Sequence, residues 1–159
     1  MKLYVKQNLF RLLESYNITD CNGNIKYYVE TEFFTIGHCF KLYNSNNEFL
    51  YEIKQKVFTL LPKYLLLDNS GNEIASIVKN FTFFTDSYEI DKLGWIVSGD
   101  LFAHDYDIIC NNSVIAKIHK KWFSFGDSYE FDIVDDKNIE LVLAVIIMID
   151  QIIDSRESR

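Results

Sequence analysis

Proline occurs once and glycine six times among 159 residues, and three cysteines, Cys21, Cys39 and Cys110, stand without CxxC spacing. So little proline and glycine excludes collagen and low-complexity disorder. An odd cysteine count argues against a secreted disulfide framework and predicts free thiols in a reducing compartment. Positive charge is also scarce: 16 Lys and Arg face 23 Asp and Glu, a formal charge of −7. The summed field repels nucleic-acid phosphates and anionic surfaces, so no nucleic acid partner is expected and any basic binding face has to be local. The opening run Met1-Lys2-Leu3-Tyr4-Val5-Lys6-Gln7 holds no long apolar stretch before a small-residue cleavage site, which predicts no signal peptide and a cytoplasmic protein. No Ser-His-Asp set, HExxH, P-loop or GxGxxG occurs, and neither a cofactor nor a metal is expected.

What the chain has in quantity is apolar and aromatic residues, 48% and 16%. At this length folding buries roughly 70% of the unfolded surface, enough for one domain with a full core. The apolar residues recur in a pattern of a β-branched residue, a bulky pair and a tyrosine. Val5, Leu9, Phe10, Leu12, Tyr16 and Ile18 align without a gap on Ile53, Val57, Phe58, Leu60, Tyr64 and Leu66. Further copies run through Ile77, Phe81, Phe84, Tyr88 and Ile90, and through Ile118, Trp122, Phe123, Phe125, Tyr129 and Phe131. Two weaker copies start at Val29, with Phe40 in the tyrosine place, and at Val97, with Tyr106. The six starts, 5, 29, 53, 77, 97 and 118, are 24, 24, 24, 20 and 21 residues apart. Lysines follow the starts of units one, three, four and six, and acids those of two and five, which suggests two tandem halves, about 1–72 and 73–138, within one domain.

Asp20-Cys21-Asn22-Gly23-Asn24, Asn44-Ser45-Asn46-Asn47, Asp68-Asn69-Ser70-Gly71-Asn72, Lys92-Leu93-Gly94 and Asn111-Asn112-Ser113 read as reversals between units. Leu61-Pro62-Lys63, Thr85-Asp86-Ser87 and Gly126-Asp127-Ser128 mark shorter reversals within them, so each unit carries two strands and the chain about twelve. From Ile139 to Ile149 every residue except Glu140 is apolar, with no turn residue and no polar face. That stretch predicts a helix over 139–153, capped by Asp136 or Asn138, and a polar tail over 155–159. A helix apolar all round must be buried in protein or lipid, and eleven residues rise only about 16 Å against the ~30 Å of a bilayer core. Twelve strands closed into a barrel leave a lumen wider than side chains alone can fill. The expected fold is therefore mainly β, a closed antiparallel barrel over 1–154 around this helix.

The run Lys54-Gln55-Lys56-Val57-Phe58-Thr59-Leu60-Leu61-Pro62-Lys63-Tyr64, the step Ala103-His104-Asp105-Tyr106, the segment Ile118-His119-Lys120-Lys121-Trp122-Phe123-Ser124 and the apolar tail together resemble the LURP-one-related family. That family is similar to the phospholipid scramblases and the tubby carboxy-terminal domain, and the resemblance implies a twelve-stranded barrel with a hydrophobic helix inside.

Sites are less marked. His104, Asp105, Asp107 and Cys110 could ligate a metal, and His104 could act as acid or base in a hydrolase, but alternation along a strand turns His104 and Asp105 to opposite faces. His38 and His119 sit singly. Asp127, Glu130, Asp132, Asp135 and Asp136 could hold calcium, as an acidic segment does in the scramblases, but they lack EF-hand spacing and fit a strand face and a helix cap. The cysteine-rich lipidation cluster of the scramblases has no counterpart here. Arg11, Lys54, Lys56, Lys117, Lys120 and Lys121 occupy related places in different units and could gather on one rim to hold phosphate. Tubby domains bind phosphoinositide head groups, which the resemblance extends to this chain as a possibility. The leading expectation is a non-enzymatic binding module for a phospholipid or another phosphate-bearing ligand, without a transmembrane span. A scaffold for a protein partner is the alternative.

Overall fold

A computed structural model describes residues 1–6, 15–32, 37–60, 63–79, 87–121 and 128–157, apart from the side chains of 78, 79 and 154–157. Twelve strands run in order: β1 (Lys2–Lys6), β2 (Ser15–Thr19), β3 (Ile25–Glu32), β4 (Cys39–Asn44), β5 (Phe49–Lys56), β6 (Lys63–Asp68), β7 (Glu73–Lys79), β8 (Ser87–Asp91), β9 (Trp95–Asp100), β10 (Asp105–Cys110), β11 (Ser113–Lys121) and β12 (Ser128–Ile133). A single helix, α1 (Ile139–Glu157), follows. Each strand pairs antiparallel with its chain neighbours, and β1 pairs with β12, so the sheet closes on itself and keeps no free edge. The expected barrel is therefore the observed one.

Register explains why a β-branched residue and a tyrosine recur. Tyr16, Phe40, Tyr64, Tyr88, Tyr106 and Tyr129 are each the second residue of an even-numbered strand, and all are buried. Each lies opposite the residue that opens a unit: Tyr16 and Val29, Phe40 and Ile53, Tyr64 and Ile77, Tyr88 and Val97, Tyr106 and Ile118. Tyr129 lies opposite Val5 and closes the ring. Two residues along, a second ring pairs Ile18 with Tyr27, Leu42 with Tyr51, Leu66 with Ala75, Ile90 with Trp95, Ile108 with Ala116 and Phe131 with Leu3. Alternation along a strand turns both rings inward. Directly after this second ring, β2/β3, β4/β5, β6/β7 and β10/β11 each carry a register shift. Such bulges add bend and twist, which a sheet needs in order to close.

The helix fills the cylinder. Every residue from Val142 to Ile153 is buried, and only Asp150 and Gln151 among the last four are polar. Burying one large aliphatic side chain is worth about 1.5–3 kcal/mol, so this segment stabilises the barrel from within. Asn138 starts the helix: its carbonyl accepts from the Val142 amide at 2.9 Å, while its own side-chain amide donates to Asp135 at 2.8 Å. The helix continues to Glu157, past the expected end at 153, because Asp154-Ser155-Arg156-Glu157 contains neither glycine nor proline to stop it. Among the described residues no helix is long and apolar enough to cross a membrane.

Candidate functional site: the open rim of the barrel

The two rims differ in kind. The turns after β2, β4, β6, β8 and β10, and the entry to α1, share one rim; the ends of β1, β3, β5, β7, β9 and β11 share the other. At this second rim the carboxy-terminal part of α1 reaches the mouth. His104 Nδ1 lies 3.5 Å from Asp150 Oδ1, with both side chains largely buried, and the His104 ring sits 4.7 Å from that of Tyr129. His104 has φ 51°, a left-handed backbone, and Gly99 beside it has φ 141°. A side chain at Gly99 would meet the Asp105 carbonyl oxygen at 2.6 Å, so the β9–β10 connection folds back tightly. Burial, then the charges of Asp150 and Tyr129, push the Tyr106 hydroxyl well above its ordinary value. His104 thus ties the rim to the helix end.

Asp105 points the other way, as strand alternation predicts. It takes His119 Nδ1 at 2.6 Å on the outer face, so His119 is paired and does not sit singly. Sequence spacing missed this pair because its members lie on two strands. The suggested metal set of His104, Asp105, Asp107 and Cys110 is thereby split between faces.

Among the described residues of this rim, the β5–β6 hairpin is the most exposed part. Lys56 and Lys63 lie directly opposite each other at its stem, and neither has an ion-pair partner among the described residues. Like charges directly opposite on a sheet destabilise it. Beyond them, Phe58 is 97% and Leu60 99% exposed, and Phe58 has φ 62°. A bulky residue there is a backbone outlier. The stem is nonetheless braced: the Gln55 amide donates to the His38 carbonyl at 2.8 Å, and the His38 amide donates to Gln55 Oε1 at 3.1 Å. Thr59 Oγ1 donates to the Lys56 carbonyl at 3.2 Å.

The basic residues named from the sequence divide into two groups. Lys54 and Lys56 are on β5, whereas Lys117, Lys120 and Lys121 are on β11, six strands away in either direction around the closed sheet. They share no patch, because equal places in units three and six of a six-unit ring are diametrically opposed. Lys54 Nζ is held by Glu52 at 3.0 Å. Lys117 sits mid-wall between Asp107 and Asp132, Lys120 lies opposite inward-facing Tyr129, and Lys121 Nζ is 3.7 Å from Glu130. Arg11 and Asp127 lie outside the described residues.

The acids before the helix are used structurally. Lys2 Nζ reaches Glu130 at 2.9 Å and Asp132 at 3.8 Å. Burial raises the Glu130 carboxyl, but the Lys2 hydrogen bond, the Lys121 and Lys2 charges and the Tyr4 hydroxyl outweigh it and hold it below its ordinary value. Asp135 is lowered by the Asn138 side chain. Across β3, β4 and β5, Glu32, Cys39 and Glu52 bring ligand atoms within 4.8 Å of one another, a group invisible before the register is known. Both carboxylates are already matched, Glu32 by Lys41 at 2.6 Å and Glu52 by Lys54. Burial and the Glu52 hydrogen bond push the Cys39 thiol up to about 12, so it stays protonated and donates to Glu52 at 3.2 Å.

Residues 1–150 match the family described as LURP-one-related, and the chain belongs to that family. It is 28% identical over 157 residues to the uncharacterized protein YxjI of Bacillus subtilis (strain 168), covering 99% of this chain and 96% of that one. An X-ray structure of an Arabidopsis thaliana protein superposes with a TM-score of 0.65 at 13% identity, over 94% of this chain and 89% of the other. At that identity the likeness concerns the fold alone.

Proposed function

We propose that this LURP-one-related barrel is a non-enzymatic, cytoplasmic binding module that holds a phosphate-bearing ligand at its open rim, with Lys56 and Lys63 as the contacts. One observation carries the reading: two lysines held face to face at a braced hairpin stem, unmatched by acids among the described residues. Such a pair is unfavourable for the isolated sheet and becomes favourable when an anion sits between the ammonium groups. Asp20, Glu48, Asp68, Asp91 and Asp135 are at or beside the turns of the opposite rim, and the described acids at this rim, Glu32, Asp100 and Asp105, are engaged by Lys41, by the Ala103 amide and by His119. In this reading His104 positions the rim against the helix and performs no chemistry, and kinship with tubby domains and scramblases is a likeness of scaffold.

Titration calorimetry with pyrophosphate and with water-soluble phospholipid head groups tests the proposal. Each lysine near an anionic site contributes about 1 kcal/mol, so Lys56→Ala with Lys63→Ala should weaken binding about thirtyfold. Binding that persists in the double variant, or its absence in the native chain, sinks the reading. His104→Ala should lower stability and leave phosphate affinity unchanged.

A further inference from the structure

We infer that the β5–β6 hairpin is a membrane anchor that dips its tip into an anionic bilayer, Phe58 and Leu60 entering the head-group and acyl boundary while Lys56 and Lys63 remain at the phosphates. The inference rests on the proposed phosphate reading for its lysines, and it adds the source of that phosphate. Phe58 and Leu60 are 97% and 99% exposed, one residue apart from each other, at the end of a strand pair whose stem is fixed by the His38 and Gln55 bonds. Water is a poor environment for two whole apolar side chains, and at 97% and 99% exposure they gain almost no burial within the fold. A free phosphate would engage the lysines and leave the tip in water. A bilayer supplies both chemistries at the matching order of depth, apolar at the tip and anionic at the stem. The orientation is consistent with the described charges, because Asp20, Glu48, Asp68, Asp91 and Asp135 lie at the far rim while Glu32, Asp100 and Asp105 at the near rim are engaged by Lys41, the Ala103 amide and His119.

The test uses the full chain and sedimentation with vesicles, either phosphatidylcholine alone or phosphatidylcholine mixed with phosphatidylglycerol. The native protein should bind the mixed vesicles and should retain part of that binding when salt screens the lysines at about 0.5 M. Phe58→Ser with Leu60→Ser should reduce partitioning about tenfold and abolish the salt-resistant part. The same variant should keep its pyrophosphate affinity, whereas Lys56→Ala with Lys63→Ala should lose pyrophosphate and leave only weak, salt-insensitive vesicle binding. Equal partitioning of the tip variant and the native chain overturns the anchor while leaving the phosphate reading intact. So does pyrophosphate binding without vesicle binding. Concentration-dependent self-association that the tip variant removes, with no vesicle binding, makes a second copy the occupant and also overturns it. Failure with both pyrophosphate and vesicles rejects both proposals together.

Discussion

At one rim the chain reverses in turns that satisfy themselves; at the other it presents apolar side chains and unmatched lysines. Asp20 Oδ1 accepts from the amides of Asn22 and Asn24, both at 2.9 Å, and Oδ2 accepts from the Asn24 side chain at 3.0 Å. Asp68 repeats this with Ser70 and Asn72, and Asn44 with Asn46 and Glu48. These reversals are local devices, complete within five residues. The open rim closes one described turn in the same way, Asp100 Oδ1 accepting from the Ala103 amide at 3.0 Å and the Leu101 carbonyl from the His104 amide at 3.1 Å, but its β5–β6 stem leaves two lysines unmatched among the described residues. Its described connections carry Phe58, Leu60 and the 48% exposed Phe102, and Gly99 admits no side chain there. The described turns of one end are thus complete in themselves, and the β5–β6 hairpin at the other departs from stability rules in ways that suit binding.

The largest test of this division concerns what both rims enclose. Ile146→Asp places an unpaired charge at a position 1% exposed, and urea unfolding should show a loss of at least about 4 kcal/mol. A native midpoint would mean that the helix is not the core. Glycines at the two rims should then respond unequally. Gly99→Ala forces contacts of 2.6 and 2.7 Å on the Asp105 oxygen and Tyr106 Cα and should cost about 2–4 kcal/mol, whereas Gly71→Ala, with φ 83° and open space around it, should cost about 1 kcal/mol. Equal losses would erase the distinction.

Acid separates the rims more gently. The Asp20 and Asp68 carboxyls are held below their ordinary 3.8, chiefly by the side chains of Asn24 and Asn72, and Glu130 is below 4.5. Folded values below the unfolded ones mean stability that is fully present above pH 4.5 and is lost as pH falls through the folded values. Thermal unfolding followed from pH 6 to pH 3 should show this loss, and Asp68→Asn should flatten it; an unchanged slope would remove the turn from the account. The smallest effect belongs to the hairpin tip. Phe58→Ser with Leu60→Ser should shift unfolding by less than about 0.5 kcal/mol, since neither side chain touches the core. A larger destabilisation would reveal a packing role for the tip.

The self-capped turns and the apolar helix were legible in the sequence because each is decided by neighbouring residues: an Asx side chain reaches its own backbone, and ten apolar residues among eleven leave no wet face. The recurring tyrosines were legible as core, but not as a ring, because their partners come from adjacent units. The lysines do not form one group because closure of the sheet puts units three and six on opposite sides of the ring. Lys56 and Lys121 both stand three residues after the start of their unit, yet one lies opposite Lys63 and the other has Nζ 3.7 Å from Glu130. The Lys56 and Lys63 pair, the His119 and Asp105 bond and the Glu32, Cys39 and Glu52 group all depend on register, which no single segment encodes.

Composition and periodicity alone determined that this chain forms paired strands around a buried helix, since those outcomes follow from burial and from turns closed over a few residues. The tertiary structure alone decided which charges meet and which stand unmatched, because a closed ring of twelve strands sets neighbours across the barrel wall and sends equal places in the repeat to opposite sides.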